Sequence, residues 1–439
     1  MHISLVRKQG GEAAGLPRLL LVEGATWLAA YATPVVLAFA VLDSGGSSGD
    51  VGVVLAADTL GMLVSAPYGG AIADRLPRNL VMCAAEVSAA LFQGGAVLVL
   101  ASGFRPLPWL ALLQAAVGVS RGFFFPASTG LVASLIPDDG LRQRANGWLG
   151  TAQAASRLAA PPAAGLVVAA ASAETALCLN IGAYTTSAIL LLSLRTGAPA
   201  GPREKILAVI GRGWRELRRR EWLWLTVAWF SALQCVAQAP LLVLGPGIAK
   251  QALGGSTGWG IVMGALGSGA AAGAVLAATL HIARPLRPAI AAYALYALPL
   301  LALAKPLPLP MVAAAAALAG AAGGFFAACW FTMFQKNVPH DAISSVSAWD
   351  WEASLAGLPL GMLLAPQLAR TIGAPLTLLG ASGLTVAMTL LVAPRASIGR
   401  PSAFDAKTEP NGGSSPAASQ SSAASQSPTS AADAERTSS

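Results

Sequence analysis

The chain has 439 residues, of which 55% are hydrophobic and only 11% charged, and it carries a net charge of +8. A soluble domain has about 25% charged residues, so this balance excludes an ordinary water-soluble globule and points to a polytopic membrane protein. The apolar runs far exceed the roughly ten-residue alternating segments of membrane β-barrels, which leaves helices as the spanning element.

Near the N-terminus, Arg7, Lys8 and Arg18 precede an apolar run too long for a cleavable signal, so the first span is expected to act as an uncleaved anchor. Runs long enough to cross a bilayer, about twenty residues each, fall at 17–41, 51–73, 80–102, 108–135, 147–170, 174–194, 222–246, 256–281, 287–304, 309–334, 352–372 and 375–394. The prediction is twelve spans. Odd-numbered loops carry few cations (Arg105, Lys250, Lys305, Arg370), whereas even-numbered loops and the termini carry many. That contrast predicts a multi-pass protein of the plasma membrane with both ends in the cytoplasm. The basic residues alternate with the spans and form no continuous face, so the positive charge reports topology and no nucleic-acid partner is expected.

Between the second and third spans lies Gly70-Ala71-Ile72-Ala73-Asp74-Arg75-Leu76-Pro77-Arg78-Asn79. A glycine there lets helices approach, and an Asp with two Arg makes an ionic cluster at the membrane edge. The stretch resembles the loop signature of the major facilitator superfamily, Gly-x-x-x-Asp-Arg/Lys-x-Gly-Arg-Arg/Lys. Gly70, Asp74, Arg75 and Arg78 match it, while Pro77 and Asn79 replace its second glycine and last basic residue. The resemblance implies an all-α integral membrane fold of twelve helices in two six-helix pseudo-symmetric halves. The sequence itself repeats: Ile136-Pro137-Asp138-Asp139-Gly140-Leu141 is echoed by Val338-Pro339-His340-Asp341-Ala342-Ile343 at an offset of 202 residues. Expected units are an N-terminal half over 1–195, a cytoplasmic linker over 196–221, a C-terminal half over 222–395 and a disordered, Ser/Ala/Pro/Gly-rich tail over 396–439. Within the linker, 204–220 reads as a basic amphipathic helix lying at the membrane surface.

Further stretches resemble the drug:proton antiporter branch of the superfamily, which includes macrolide efflux proteins and enterobactin exporters. They are Gly118 through Ala127 with Leu141-Arg142-Gln143-Arg144-Ala145-Asn146, and Leu244-Gly245-Pro246 through Trp259-Gly260. Proton-coupled members carry an arginine in the fourth span ahead of a Gln-Gly pair. Gln114 stands at that position here, and Arg121, two turns on and on nearly the same face, takes over its role in this reading.

Buried ionisable residues cost about 2.5–3.5 kcal/mol each on insertion scales and need a reason. Glu23, Trp27 and Tyr31 repeat every four residues on the first span and form a candidate substrate wall. Glu23 or Asp58 is the candidate proton carrier, with Arg121 and Arg157 as charge partners or anion-binding groups. The alternative for these four is a set of static salt bridges. Glu86 reads as a packing residue bridged to a loop arginine, and Trp222, Trp224 and Trp229 as an aromatic belt. Gln234 and Gln238 share a face of the seventh span and either line the cavity or bond between helices. Asp350 and Glu352, at the start of the eleventh span, are expected to pair with Arg75 and Arg78 as a cytoplasmic gate.

No phosphate-cradling loop, His-Glu-x-x-His or Gly-x-Ser-x-Gly is present, and the four cysteines and three histidines are scattered. No metal, cofactor or enzymatic activity is expected. The reading is a monomeric secondary transporter, exporting a small amphiphilic molecule in exchange for protons. Its alternatives are an exporter of an anionic, siderophore-like metabolite, or a sensor built on a transporter scaffold.

Overall fold

The computed structural model describes residues 2–102, 107–136, 138–194, 206–280, 282, 285–305, 307–338 and 343–395. The turn 339–342, most of the expected linker before residue 206 and the tail beyond 395 lie outside the described residues, so the expectations for them are not met or unmet here. Helices make up the described chain and no strand occurs among the described residues. The first half holds α1 (His2–Asp43), α2 (Ser48–Ala73), α3 (Arg78–Ala101), α4 (Leu107–Leu135), α5 (Asp139–Ala170) and α6 (Ala173–Leu192). A connecting helix, α7 (Ile206–Arg219), follows. In the second half α8 (Glu221–Leu233) runs through a π turn at Gln234–Gln238 into α9 (Ala239–Ala252), and α10 (Gly255–Thr279) comes next. Then α11 (Leu286–Ala292) continues through a tight turn at Tyr293–Tyr296 into α12 (Ala297–Ala304). The last spans are α13 (Leu309–Asn337), the pair α14 (Ile343–Leu355) and α15 (Gly357–Ile372), and α16 (Ala374–Val392).

Eleven of these segments are long and apolar enough to cross a membrane. The twelfth predicted span is α5, 32 residues long, whose first half is diluted by Arg142, Gln143, Arg144 and Asn146. It lies alongside α1 and α10 and completes the bundle. Leucines on its outer wall are bare: Leu91 and Leu98 on α3 are 70% and 72% exposed. In water such a surface is a liability; against lipid it costs nothing.

Local signals set the ends. Ser47 caps α2, its hydroxyl taking the Asp50 N–H while the Asp50 carboxylate takes the Ser47 N–H at 2.7 Å. Asp138 and Ser172 cap α5 and α6 more simply, each side chain accepting one backbone N–H, from Leu141 and Thr175.

Without a hydrophobic force between helices in lipid, close packing must come from small residues. The α2–α4 contact is built on them: a Cβ at Gly61 would lie 2.1 Å from the Ala115 carbonyl oxygen, and one at Gly118 1.9 Å from that of Asp58. The α10–α13 contact repeats the device: a Cβ at Gly320 would lie 2.0 Å from the Leu266 carbonyl oxygen, and one at Gly324 1.9 Å from that of Ala270. Gly118 and Gly320, and Gly122 and Gly324, stand 202 residues apart, the offset already seen in the loops. The two halves therefore share their tightest helix pair.

Between the halves, α2 meets α15 at Gly52, where a Cβ would lie 2.2 Å from the Met362 carbonyl oxygen, and α5 meets α10 at Gly165, where one would lie 2.3 Å from that of Ser256. Both contacts lie toward the end of the bundle that carries the α1–α2 turn. The Ser256 hydroxyl donates to the Gly165 carbonyl at 3.0 Å.

At the opposite end α7 is seated by Trp214, whose ring lies 4.9 Å from that of Trp349 on α14, and by the buried Leu217. Glu216 ties down Arg219 and Arg220 at 2.9 Å each. The predicted amphipathic helix thus has its apolar side against protein rather than lipid alone.

Candidate functional site

The spacing of Glu23, Trp27 and Tyr31 places them on one face of α1, and α4 and α5 close over that face. Glu23 is 4% exposed; it accepts from the Trp27 indole N–H at 3.0 Å and from the Ser128 hydroxyl on α4. The Trp27 ring stacks between Phe125 at 4.5 Å and Tyr31 at 5.5 Å. Tyr31 in turn accepts from Gln153 on α5 at 3.4 Å. One turn beyond Gln153 is Arg157, exposed, with Tyr31 on its own half and Tyr293 and Tyr296 on the other half within electrostatic range. The arginine therefore faces the space between the halves.

On the far wall Tyr293 and Tyr296 stack at 5.3 Å, and the Tyr296 hydroxyl donates to Gln238. Gln234 and Gln238 bound the π turn, a departure from α-helical winding that recurs at functional sites. Gln238 is partly open whereas Gln234 is buried. Sequence reasoning missed the tyrosine pair. The available signal was two tyrosines three residues apart in an otherwise apolar span.

Asp58 and Arg121 form an ion pair between α2 and α4, with both side chains about nine-tenths covered. The pair sits inside the first half, with Tyr184 of α6 in electrostatic range of both charges. Gln114 is fully buried, and neither its amide nitrogen nor its oxygen has a partner among the described residues. It does not line the space between the halves.

Four expectations change. A Cβ at Gly70 would meet only Pro126, at an ordinary 3.7 Å; the close approach is made by its neighbour Gly69, where a Cβ would lie 2.3 Å from the Gly122 carbonyl oxygen. Glu86 is no edge residue bridged to an arginine: it is 3% exposed and accepts from Thr26 and Ser187. Trp229 is buried among Tyr293 and Phe326 at 5.5 and 5.4 Å, and Trp222 packs on Trp330 at 5.7 Å, so only Trp224, 42% exposed, remains as a belt residue. Among the described residues no ion pair joins Arg75 or Arg78 to Asp350 or Glu352. Arg78 donates to the Gly130 carbonyl and lies 3.6 Å from Asp74, Arg75 is exposed, and Asp350 accepts from the Trp330 indole at 3.1 Å. Glu352 is partly buried on α14. An ionic clasp does join the halves at the other end, where the Lys250 ammonium reaches Asp43 at 2.7 Å and the Leu42 carbonyl at 2.9 Å.

A Cβ at Gly247 lies 3.1 Å from the Ser48 hydroxyl beside that clasp, within disulfide reach. Oxidation of the Ser48→Cys/Gly247→Cys variant is expected to remove both new thiols from maleimide labelling. Persistent labelling means that the ends are not held together as described.

Two helical halves, joined at one end and lined between by aromatic and polar side chains, define a helical membrane transporter. The pattern of the Major Facilitator Superfamily matches residues 19–350, and the chain belongs to that family. Among relatives, the uncharacterized MFS-type transporter YfiS of Bacillus subtilis is 26% identical over 226 residues, covering 50% of this chain and 52% of that protein. The quinolone resistance protein NorA of Staphylococcus aureus is 30% identical over 99 residues, covering 22% and 23%. The chain thus matches about half of one relative's length and a quarter of the other's. The solved nucleoside transporter NupG superimposes with a TM-score of 0.71 at 11% identity over 88% of this chain and all of that one. A bacterial homologue of the lysosomal transporter Spinster, in an inward-facing state, gives 0.68 at 13% identity over 88% and 96%. At such identities the likeness establishes the fold. Among the described residues no group of three or more His, Cys, Asp or Glu could hold a metal ion.

Proposed function

We propose that the chain is a plasma-membrane exporter that moves a small amphiphilic molecule by alternating access in exchange for protons. The observation that carries this reading is the α1 face: a buried carboxyl, Glu23, beside the Phe125–Trp27–Tyr31 stack, with only Trp27 and Tyr31 partly uncovered. Aromatic rings supply flat apolar contact for a drug-sized body, and a carboxyl beside them either takes a proton or pairs with a cationic group on the cargo. Competition between the two expels the cargo when the proton arrives. The halves 1–195 and 222–395 rock about the α2–α15 and α5–α10 contacts. Similarity to a quinolone resistance protein supports efflux as the direction.

Arg157 favours a second cargo class. Its exposed guanidinium between Tyr31 and the Tyr293–Tyr296 pair suits an anionic or zwitterionic molecule of siderophore type.

The test is proton movement in vesicles holding the purified protein and a pH-sensitive dye, challenged with cationic drugs, neutral macrolides and anionic siderophores. At least one class is expected to trigger proton release, and Glu23→Gln or Asp58→Asn to bring it to background. Labelled compounds that cross with no proton movement would remove the antiport reading. Arg157→Ala is expected to abolish movement of anionic compounds and spare neutral ones.

A further inference from the structure

We infer that α7 carries a binding site for the headgroup of an anionic phospholipid, formed by Trp214, Arg215, Arg218 and Arg219. These four side chains line one shallow recess. Within it the Arg218 guanidinium lies over the Trp214 ring, 5.8 Å from the centroid. A guanidinium held by its face keeps its N–H edges for bonding, and a phosphate accepts from such an edge through two oxygens at once. Arg215 bonds its own helix through Nε, to the Gly211 carbonyl at 3.3 Å. Neither Arg215 nor Arg218 has a carboxylate partner among the described residues.

The charge around the recess is unbalanced. Four arginines (215, 218, 219 and 220) stand against two glutamates (216 and 221), an excess of +2. Glu216 is shared by Arg219 and Arg220 at 2.9 Å each, and Glu221 forms no ion pair among the described residues. On α14, against which α7 packs, Asp350 accepts from the Trp330 indole, and neither it nor Glu352 pairs with an arginine of α7 among the described residues. A merely solvated basic face would leave its side chains loose. Here the buried Leu217 and the Trp214–Trp349 contact fix the helix, Glu216 fixes Arg219, and the Trp214 ring positions Arg218. The recess is therefore formed before a ligand arrives.

Its depth selects the ligand. The membrane-spanning segment that follows, Glu221–Ala252, has 32 residues, about 48 Å at 1.5 Å per residue. A bilayer with its headgroups is about 40–45 Å thick, so the first residue of that segment stands at headgroup level, outside the hydrocarbon. Trp224, 42% exposed, is the interfacial ring expected at that depth. Arg218 and Arg219 precede Glu221 by three and two residues, which puts the recess at the level of lipid phosphates. A phosphate already anchored there by its acyl chains is the anion that this charge and depth fit together.

The test is titration of the purified full chain in detergent with phosphatidylglycerol or phosphatidylcholine, with bound lipids counted by native mass spectrometry. The parent is expected to retain phosphatidylglycerol in preference, and Arg215→Gln/Arg218→Gln to weaken that binding by about tenfold or more, since each arginine near an anionic headgroup contributes several-fold. Arg75→Gln/Arg144→Gln removes the same charge from exposed positions in the α2–α3 and α4–α5 connections and is expected to leave the binding nearly unchanged. Equal losses in the two double variants, or no preference in the parent, reduce the effect to diffuse attraction and overturn the site. Displacement of the lipid by an equal concentration of inorganic phosphate assigns the recess to a free anion and overturns the lipid. If Arg215→Gln/Arg218→Gln fails to fold, Arg218→Lys decides, because it keeps the charge and loses the stacked fork: weakened binding supports the site and unchanged binding overturns it. Lipid retention is read without transport, so it stands or falls independently of the exporter reading.

Discussion

Gly118→Ala is expected to destabilise the protein by about 3 kcal/mol, the upper end of ordinary overpacking, and to lower the unfolding midpoint of the purified protein in detergent by several degrees. The added methyl would sit 1.9 Å from the Asp58 carbonyl oxygen, a backbone atom that cannot rotate away, so α2 and α4 must separate along their whole contact. The same displacement pulls Asp58 from Arg121, and transport is expected to fall with stability. Gly320→Ala, 2.0 Å from the Leu266 carbonyl in the second half, should cost a similar amount. Gly182→Ala on α6 meets nothing within 4 Å and removes a poor helix former worth about 1 kcal/mol, so it is expected to be neutral or stabilising. Equal effects at all three positions would mean that the close approach does not hold the bundle together.

This contrast also marks what the sequence could tell. Composition and run length were enough for a twelve-span helical bundle, because burying a backbone in lipid leaves few alternatives. The glycine repeat at 202 residues shares the offset of the two loop motifs but was not read from the sequence, because which glycines meet a neighbouring helix is a tertiary property. Azimuth around a helix was harder. Trp229 lies near a span end, where a belt residue belongs, but its side of α8 turns toward Tyr293 and Phe326. Glu86 was misplaced for the same reason: its depth says little about which side of α3 it occupies, and Thr26 and Ser187 are too ordinary to announce themselves as partners. The Glu23, Trp27 and Tyr31 face was legible because a spacing of four is a local property of one helix. Asp58 and Arg121 were each conspicuous, yet 63 residues separate them and nothing local to either says that they meet.

That pair separates scaffold from mechanism. Arg121→Ala alone is expected to cost about 3–5 kcal/mol, because it leaves the Asp58 carboxylate buried with no cation. Asp58→Asn alone strands the guanidinium and should also destabilise. The double variant Asp58→Asn/Arg121→Gln carries no charge at either position, so most of the lost stability is expected to return, as replacing a whole buried ion pair often costs little. Folding recovered in this way isolates the other question. If the pair only braces α2 against α4, the double variant transports with the wild-type pH dependence. If Asp58 exchanges a proton while Arg121 receives the freed charge, the double variant is as stable as the parent but moves no protons in vesicles. The second outcome is the expected one, because Tyr184 of α6 lies within electrostatic range both of the pair and of Glu86, behind the α1 face. A static brace needs no such link, whereas a path for charge from the interior to the cargo wall does.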